Sequence, residues 1–319
     1  MREQSLNTFY YDKDIPIKEK ILARTLKKRI INDAKIDDKK KNIKRRMNKN
    51  KGSRLILVGL FILFLMIFIG CLFKLANWYK DNQNTDKNIE QIEEITAVEE
   101  IVDTEEATEL INVPEEPESD YWYYIKFPLI QVDFNELIKK NEDTVAWIQV
   151  NNTNINYPIV QTDNNDYYLT RSYDKSVNEA GWVFMDFRNS SDLNNKNTII
   201  YAHSRLDKTM FGSLSKVLKP AWYQNKDNHI IKISTPTENS LWQIFSVYKI
   251  EAENYYITTD FGSENTYMEF LSTIKDRSKY DFDVTLNESD SIITLSTCYS
   301  DTERTVVHAK KIKKSLRNS

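Results

Sequence analysis

Ser291-Ile-Ile-Thr-Leu-Ser-Thr-Cys298, then Tyr-Ser-Asp-Thr-Glu303, then Arg304-Thr-Val-Val-His-Ala-Lys310, is the stretch on which the fold turns. Apolar and β-branched residues on both sides of a short polar link predict two antiparallel strands joined by a turn. A cysteine closes the first strand and an arginine opens the second. If Cys298 stands opposite Arg304, residue i faces residue 602 − i, and His308 faces Thr294. A thiol is partly ionised at neutral pH and a guanidinium can hold a developing oxyanion. The hairpin therefore points to covalent acyl transfer rather than to packing alone.

Outward from the hairpin, six more segments read as strands: Trp147–Val150, Ile155–Val160, Gly181–Asp186, Thr198–Ala202, His229–Ser234 and Leu241–Tyr248. Helical spacing marks Val132–Asn141, with Asp133 placed to cap it, and also Met210–Leu218 and Asn265–Asp276. Eight short strands at this density suggest a closed barrel or a sandwich in a mainly β (α+β) domain, not a doubly wound sheet.

The charge of the 319-residue chain is divided into zones. Residues 1–54 hold 18 Lys/Arg against 7 Asp/Glu, residues 55–73 hold no charge, and residues 74–120 hold 15 acidic against 3 basic residues. The run Leu55–Phe73 is 19 residues long and has no polar face, as a membrane-spanning helix requires. Its basic flank precedes it and its acidic flank follows, which predicts a cytoplasmic N-terminus and an exported remainder.

The expected plan is a basic cytoplasmic tail (1–54), a signal-anchor helix (55–73), an acidic extracellular stalk (74–120) and a catalytic domain (121–319). The tail reads mainly as a solvated arm, although Ile17–Ile31 has the spacing to lie on an anionic lipid surface. Attachment to a membrane span argues against nucleic acid as its partner. The stalk, rich in Glu and ending in Val113-Pro-Glu-Glu-Pro-Glu118, reads as extended and self-repelling, with spaced Ile and Val residues that would allow a transient helix.

Of two cysteines, Cys71 falls in the apolar run and Cys298 in the exported part, so no disulfide within the exported part is expected. A lone exported thiol favours a chemical role, which needs a base beside it. The chain has three histidines. His308 lies four residues, about 13 Å, along the strand from the position opposite Cys298, and reads as a surface or rim residue. His229 opens a strand after a polar turn and reads as a partly exposed strand end. His203 closes an apolar strand and opens a polar loop, where a rigid scaffold presents reactive groups, and is the expected partner of Cys298. For Arg304, spacing leaves two readings open, an oxyanion-side role or a surface ion pair with Asp301 or Glu303.

Thr294-Leu-Ser-Thr-Cys298 with Arg304-Thr-Val-Val, and upstream Ile200-Tyr-Ala-His203, together resemble the sortase family of cysteine transpeptidases, class B most closely. Trp147-Ile148, Ile155-Asn-Tyr-Pro-Ile-Val-Gln161, Asp166-Tyr-Tyr-Leu169, Thr209-Met-Phe-Gly212 and the insert around Tyr255–Asp276 extend the likeness over roughly 125–315. The resemblance implies a closed eight-stranded barrel with short peripheral helices. It implies Cys298 as nucleophile, His203 as acid and base, and Arg304 as the oxyanion-side cation. It further implies that Asn165, Leu169, Tyr256, Ile257 and Ser296 line the groove for a C-terminal sorting signal.

The implied partners are surface proteins bearing that signal, an amine of a cell-wall precursor or pilin subunit, and membrane lipid. Two departures stand out. Ala202-His203-Ser204 replaces the usual Gly-His-Asn, and the Tyr299–Glu303 link is short, which bears on substrate preference. No metal cluster, phosphate loop or dinucleotide fingerprint is legible, so no cofactor is expected. A water-using cysteine peptidase and a non-catalytic surface module are the alternatives.

Overall fold

The structure, a computed structural model, describes residues 17–101, 108–117, 119–298 and 303–317. It divides into two compact units, Met1–Leu75 and Ala76–Ser319, and helix α1 (Ile17–Ile95) belongs in part to each. In the first unit the basic segment is helical from Ile17 onward, where a solvated arm was the expectation. Lys, Arg, Leu and Ala are good helix formers, and they dominate this stretch. Leu55–Phe73 is exposed along its length and lies in a helix long and apolar enough, by length and composition, to cross a membrane.

In the second unit the strands are β1 (Val98–Ile101), β2 (Thr108–Leu110), β3 (Leu129–Val132), β4 (Thr144–Val150), β5 (Asn156–Val160) and β6 (Phe184–Met185). They continue as β7 (Asn197–His203), β8 (Ile230–Ser234), β9 (Glu238–Glu251), β10 (Ile292–Cys298) and β11 (Glu303–Leu316). The helices are α2 (Tyr121–Tyr124), α3 (Asn135–Lys140), α4 (Pro220–Tyr223) and α5 (Glu264–Asp276).

Hydrogen-bonded neighbours follow the order β10-β7-β6-β5-β4-β8-β9-β11, and β11 pairs back onto β10. Eight strands thus close a barrel, the architecture the sequence resemblance implied. Closure removes the free edges that an open sheet of this length would leave. Strand β2 adds to β11 outside the ring, and β1 pairs with β3. Trp147, Trp182, Trp242 and Phe245 are among the largest side chains of the buried core.

The hairpin follows the expected register. Ile292 to Ser296 face Lys310 back to Val306, and Thr294 faces His308. Helix α5 sits in the β9–β10 connection. Ser263 caps it by accepting from Thr266 N, and Tyr267, Phe270, Leu271 and Ile274 form its buried stripe. The segment Met210–Leu218 is a 3-10 turn over Gly212–Leu218, not an α-helix. Helix α3 starts after Asp133, whose Oδ1 instead accepts from Asn135 N at 2.9 Å, while Val132 ends strand β3.

The acidic stretch differs from its extended reading. As far as Ile95 it is helix, with Thr85, Asn88 and Ile92 buried against the barrel. Asn178 Nδ2 donates to Thr85 Oγ1 at 3.1 Å, and Asn84 Nδ2 to Ser176 Oγ at 2.8 Å. These residues recur every three or four positions on one helix face, so the acidic side chains between them stay in water. Residues 102–107 and 118 of that stretch lie outside the described residues.

Two histidine readings are corrected. His308 is fully buried inside the barrel, not at its rim. Counting along the strand gave its separation from Cys298 but not which face the closed barrel would enclose. His229 is also buried, with Tyr124 Oη 2.9 Å from its Nδ1, and with its Nε2 donating to Tyr223 O at 2.8 Å.

Candidate active site

Strands β7 and β10 run parallel and in step, from Ile292 beside Asn197 to Cys298 beside His203. The backbones of the cysteine and the histidine are therefore ladder neighbours at the carboxyl ends of adjacent strands, where spacing between strands is about 4.8 Å. No loop conformation enters this placement. It follows from register alone.

His203 is half-buried and its Nε2 lies 2.7 Å from Leu169 O. A carbonyl oxygen only accepts, so Nε2 carries the hydrogen and Nδ1 is the nitrogen left for proton exchange. Gly181 makes this orientation possible. Its φ is +61°, and an added Cβ would stand 2.9 Å from His203 Cδ2 and 2.7 Å from Tyr168 O. A side chain there would push the imidazole or break the turn.

Beyond His203 the loop folds back on itself. Phe211 N donates to His203 O at 3.1 Å, and Ser204 bridges to Met210. Arg205 Nη2 donates to Asp207 Oδ2 at 2.7 Å and also reaches Asn82 Oδ1 of α1. Here Ser204 follows the histidine, and the strand-to-loop turn is closed by backbone bonds.

On the hairpin side the β10–β11 ladder ends at Ser296 and Val306, and beyond it Thr305 N donates to the Thr297 side chain, Oγ1, at 3.0 Å. Arg304 Nη1 donates to Glu303 O at 3.1 Å, and the Glu303 carboxylate meets Lys249 Nζ at 2.5 Å. Residues 299–302, most of the short link, lie outside the described residues.

A groove of about 300 Å³ opens beside these strands. Asn165, Leu169, Tyr256, Ile257 and Ser296, the five residues implied by resemblance, all line it together with Arg304. Asp166, Phe184, Tyr201 and Glu253 line it as well, and sequence reading did not single them out for it.

The groove rests on a buried carboxylate. Asp186 accepts from Arg188 Nε at 2.8 Å and Nη2 at 2.7 Å, from Tyr201 Oη at 2.9 Å and from Asn165 Nδ2 at 3.0 Å. Burial works against its charge, but the bonds from Arg188 and Tyr201 outweigh that and hold its pKa below the usual carboxylate range. Burial first, and then the Asp186 charge, push the Tyr201 hydroxyl up, so it remains a donor. Arg188 Nη2 also donates to Ile257 O at 3.0 Å, which ties the two sides of the groove to one centre. In the sequence this centre is Met185-Asp-Phe-Arg188, an acid directly after an apolar strand, and that position was its only signal.

A family model described as the sortase domain matches residues 148–312, more than half of the chain. The chain belongs to the sortase family. Sortases of this family are cysteine transpeptidases, and the match here is to the sortase B type. Sortase B of Staphylococcus aureus is 39% identical over 190 residues, covering 58% of this chain and 77% of that protein. Sortase B of Listeria monocytogenes is 37% identical over 179 residues, covering 55% and 70%. Among solved sortase structures, sortase B from Bacillus anthracis superposes with a TM-score of 0.58 at 34% identity, over 76% of this chain and 99% of that one. A Staphylococcus aureus sortase B–substrate complex gives 0.53 at 40% identity, over 56% and 84%.

Proposed function

We propose that this sortase is anchored by Leu55–Phe73, with its N-terminus cytoplasmic and its barrel extracellular, and that it joins proteins bearing a C-terminal sorting signal to an amine. The Cys298 thiolate attacks the scissile carbonyl, and the tetrahedral oxyanion lies toward Arg304. The C–N bond breaks as His203 gives its proton to the leaving amine, leaving a thioester on Cys298. An incoming amine of a cell-wall precursor or pilin subunit attacks the thioester and loses its proton to His203. The new amide leaves and the thiolate is restored. Asn165, Leu169, Tyr256, Ile257 and Ser296 would hold the signal peptide.

The observation that carries this reading is the in-step pairing of Cys298 with His203, beside a groove that Arg304 also lines. Residues 76–319, mixed with a panel of internally quenched sorting-signal peptides and a nucleophilic amine, should give the transfer product, with free acid as the minor product. Equal rates for wild type and Cys298→Ala across the panel would sink the proposal. Free acid as the sole product, whatever the amine, would make the enzyme a peptidase instead.

A further inference from the structure

The groove wall that carries Tyr256 and Ile257 belongs to the excursion between Glu251, the end of β9, and Glu264, the start of α5. Three successive carbonyls of this wall accept bonds from barrel side chains. Asn197 Nδ2 lies 3.3 Å from Tyr256 O and 2.9 Å from Thr258 O, and Arg188 Nη2 lies 3.0 Å from Ile257 O. The wall is thus pinned by side chains, and the question becomes what orients them.

For Asn197 the answer can be read donor by donor. Because its amide nitrogen faces two carbonyls, its Oδ1 must point the other way, toward Thr294 Oγ1 at 2.7 Å. Thr294 therefore donates its one hydrogen to Asn197 and can only accept from His308 Nδ1 at 2.8 Å. His308 then carries its hydrogen on Nδ1, and its Nε2 accepts from Tyr248 Oη at 2.8 Å. The Arg277 guanidinium, at the end of α5, stands over the Tyr248 ring, 6.0 Å from its centroid. The chain Tyr248–His308–Thr294–Asn197 has a single permitted direction. It starts on β9 and finishes on the wall between β9 and α5. Asn197, Thr294 and His308 are all fully buried, so no water can substitute for a missing link.

We propose that His308 is a positioning residue of the sorting-signal groove. As the Nδ1–H tautomer it orients Thr294 and Asn197, and through them it fixes the carbonyls of Tyr256 and Thr258 and so the wall of the groove. This rests on the reading of that groove given above. Burial first, with the Arg277 charge second, pushes His308 down to about 3, consistent with a single uncharged tautomer at neutral pH.

Two substitutions at His308 separate this role from plain packing. The amide of Asn reaches about as far as Nδ1, so His308→Asn retains a donor for Thr294. The longer His308→Gln places its amide near the Nε2 position and gives that donor up. Hydrogen exchange of the full-length protein in detergent is the primary readout. In His308→Gln, exchange of the peptide covering 252–263 should quicken about tenfold, the loss of roughly one buried hydrogen bond. In His308→Asn it should stay near wild type.

The second readout is KM for the quenched peptide that wild type cleaves fastest. It should rise about tenfold in His308→Gln, with kcat within about twofold and with unchanged Cys298 modification by a small methanethiosulfonate. Thr294→Val cuts the same chain and serves if His308→Gln does not fold. Unchanged exchange at 252–263 in both the Gln and Val variants overturns the inference, as does equal disturbance by Asn and Gln. Quickened exchange in an enzyme whose wild type cleaves no peptide supports the wall assignment and overturns the transpeptidase reading instead.

Discussion

The β7–β10 strand ends and the Tyr255–Thr258 wall sit beside the same groove but are held in different ways. Cys298 and His203 are brought together by a backbone ladder that continues through seven paired positions. Any strand-forming sequence in that register would place them. The wall hangs on side-chain bonds from Arg188 and Asn197, each set by a buried ionisable group, Asp186 in one case and His308 in the other. On the proposed function, chemistry falls to the rigid part of the fold and selectivity to a part that single substitutions can loosen.

The largest effect should come from the ladder side. Cys298→Ala should lower peptide cleavage at least about a thousandfold with little change in Tm, measured by quenched-peptide fluorescence and thermal melting. A residual rate above that level would move the nucleophile elsewhere. Next comes Gly181→Ala, which strains a left-handed turn and crowds the His203 ring. It should cut kcat about a hundredfold and raise KM by less, because the added Cβ meets the His203 ring and also the Leu169 backbone at the edge of the groove. If both constants stayed at wild-type values, the close approach of Gly181 to the imidazole would be without consequence.

On the wall side, Asp186→Asn should raise KM about tenfold and leave kcat nearly intact, since Arg188, Tyr201 and Asn165 lose a shared charged acceptor. A fall confined to kcat would break the division drawn above.

A smaller effect lies in stability against pH. Below its ordinary pKa of 6.5 the His308 imidazole of the unfolded chain binds a proton, whereas the folded one does so only near about 3. The unfolded state holds more protons across that window, so stability is complete above it and is lost as pH falls through it. Burial also lowers His229, which adds in the same sense, whereas Asp186 acts only below the carboxylate range. The drop in Tm between pH 7 and pH 4.5 should therefore shrink by about 5 °C in His308→Asn. An identical drop would mean that the imidazole is not kept uncharged. The smallest change is expected from Asn82→Ala, which removes one partner of Arg205 while Asp207 still holds it. Less than about a twofold fall in kcat should follow.

Much of this was legible in the chain. All eight barrel strands announced themselves through apolar and β-branched runs bounded by polar turns, and one assumed pairing gave the hairpin register. Elimination among three histidines named His203, which the ladder places beside Cys298. What stayed hidden was set by closure. Whether a residue such as His308 faces outward or inward depends on strands far away in sequence, and a buried Asp186 next to Arg188 looks like an ordinary surface loop. The acidic stretch was misjudged for a related reason. Its net repulsion is visible in composition, whereas the polar face of Asn84, Thr85 and Asn88 acquires meaning only against Ser176 and Asn178.

Barrel closure also depends on the last strand of the ring to be made. Strand β11 is the one neighbour shared by β9 and β10, and it is made after both. As the chain emerges, β10 can dock on β7 alone, and the long edge of β9 stays open until β11 arrives. The strand that ends in Cys298 is therefore the next-to-last piece of the ring in chain order, and only β11 can seal it. A chain lacking β11 is left with an open sheet that has β9 and β10 at its edges.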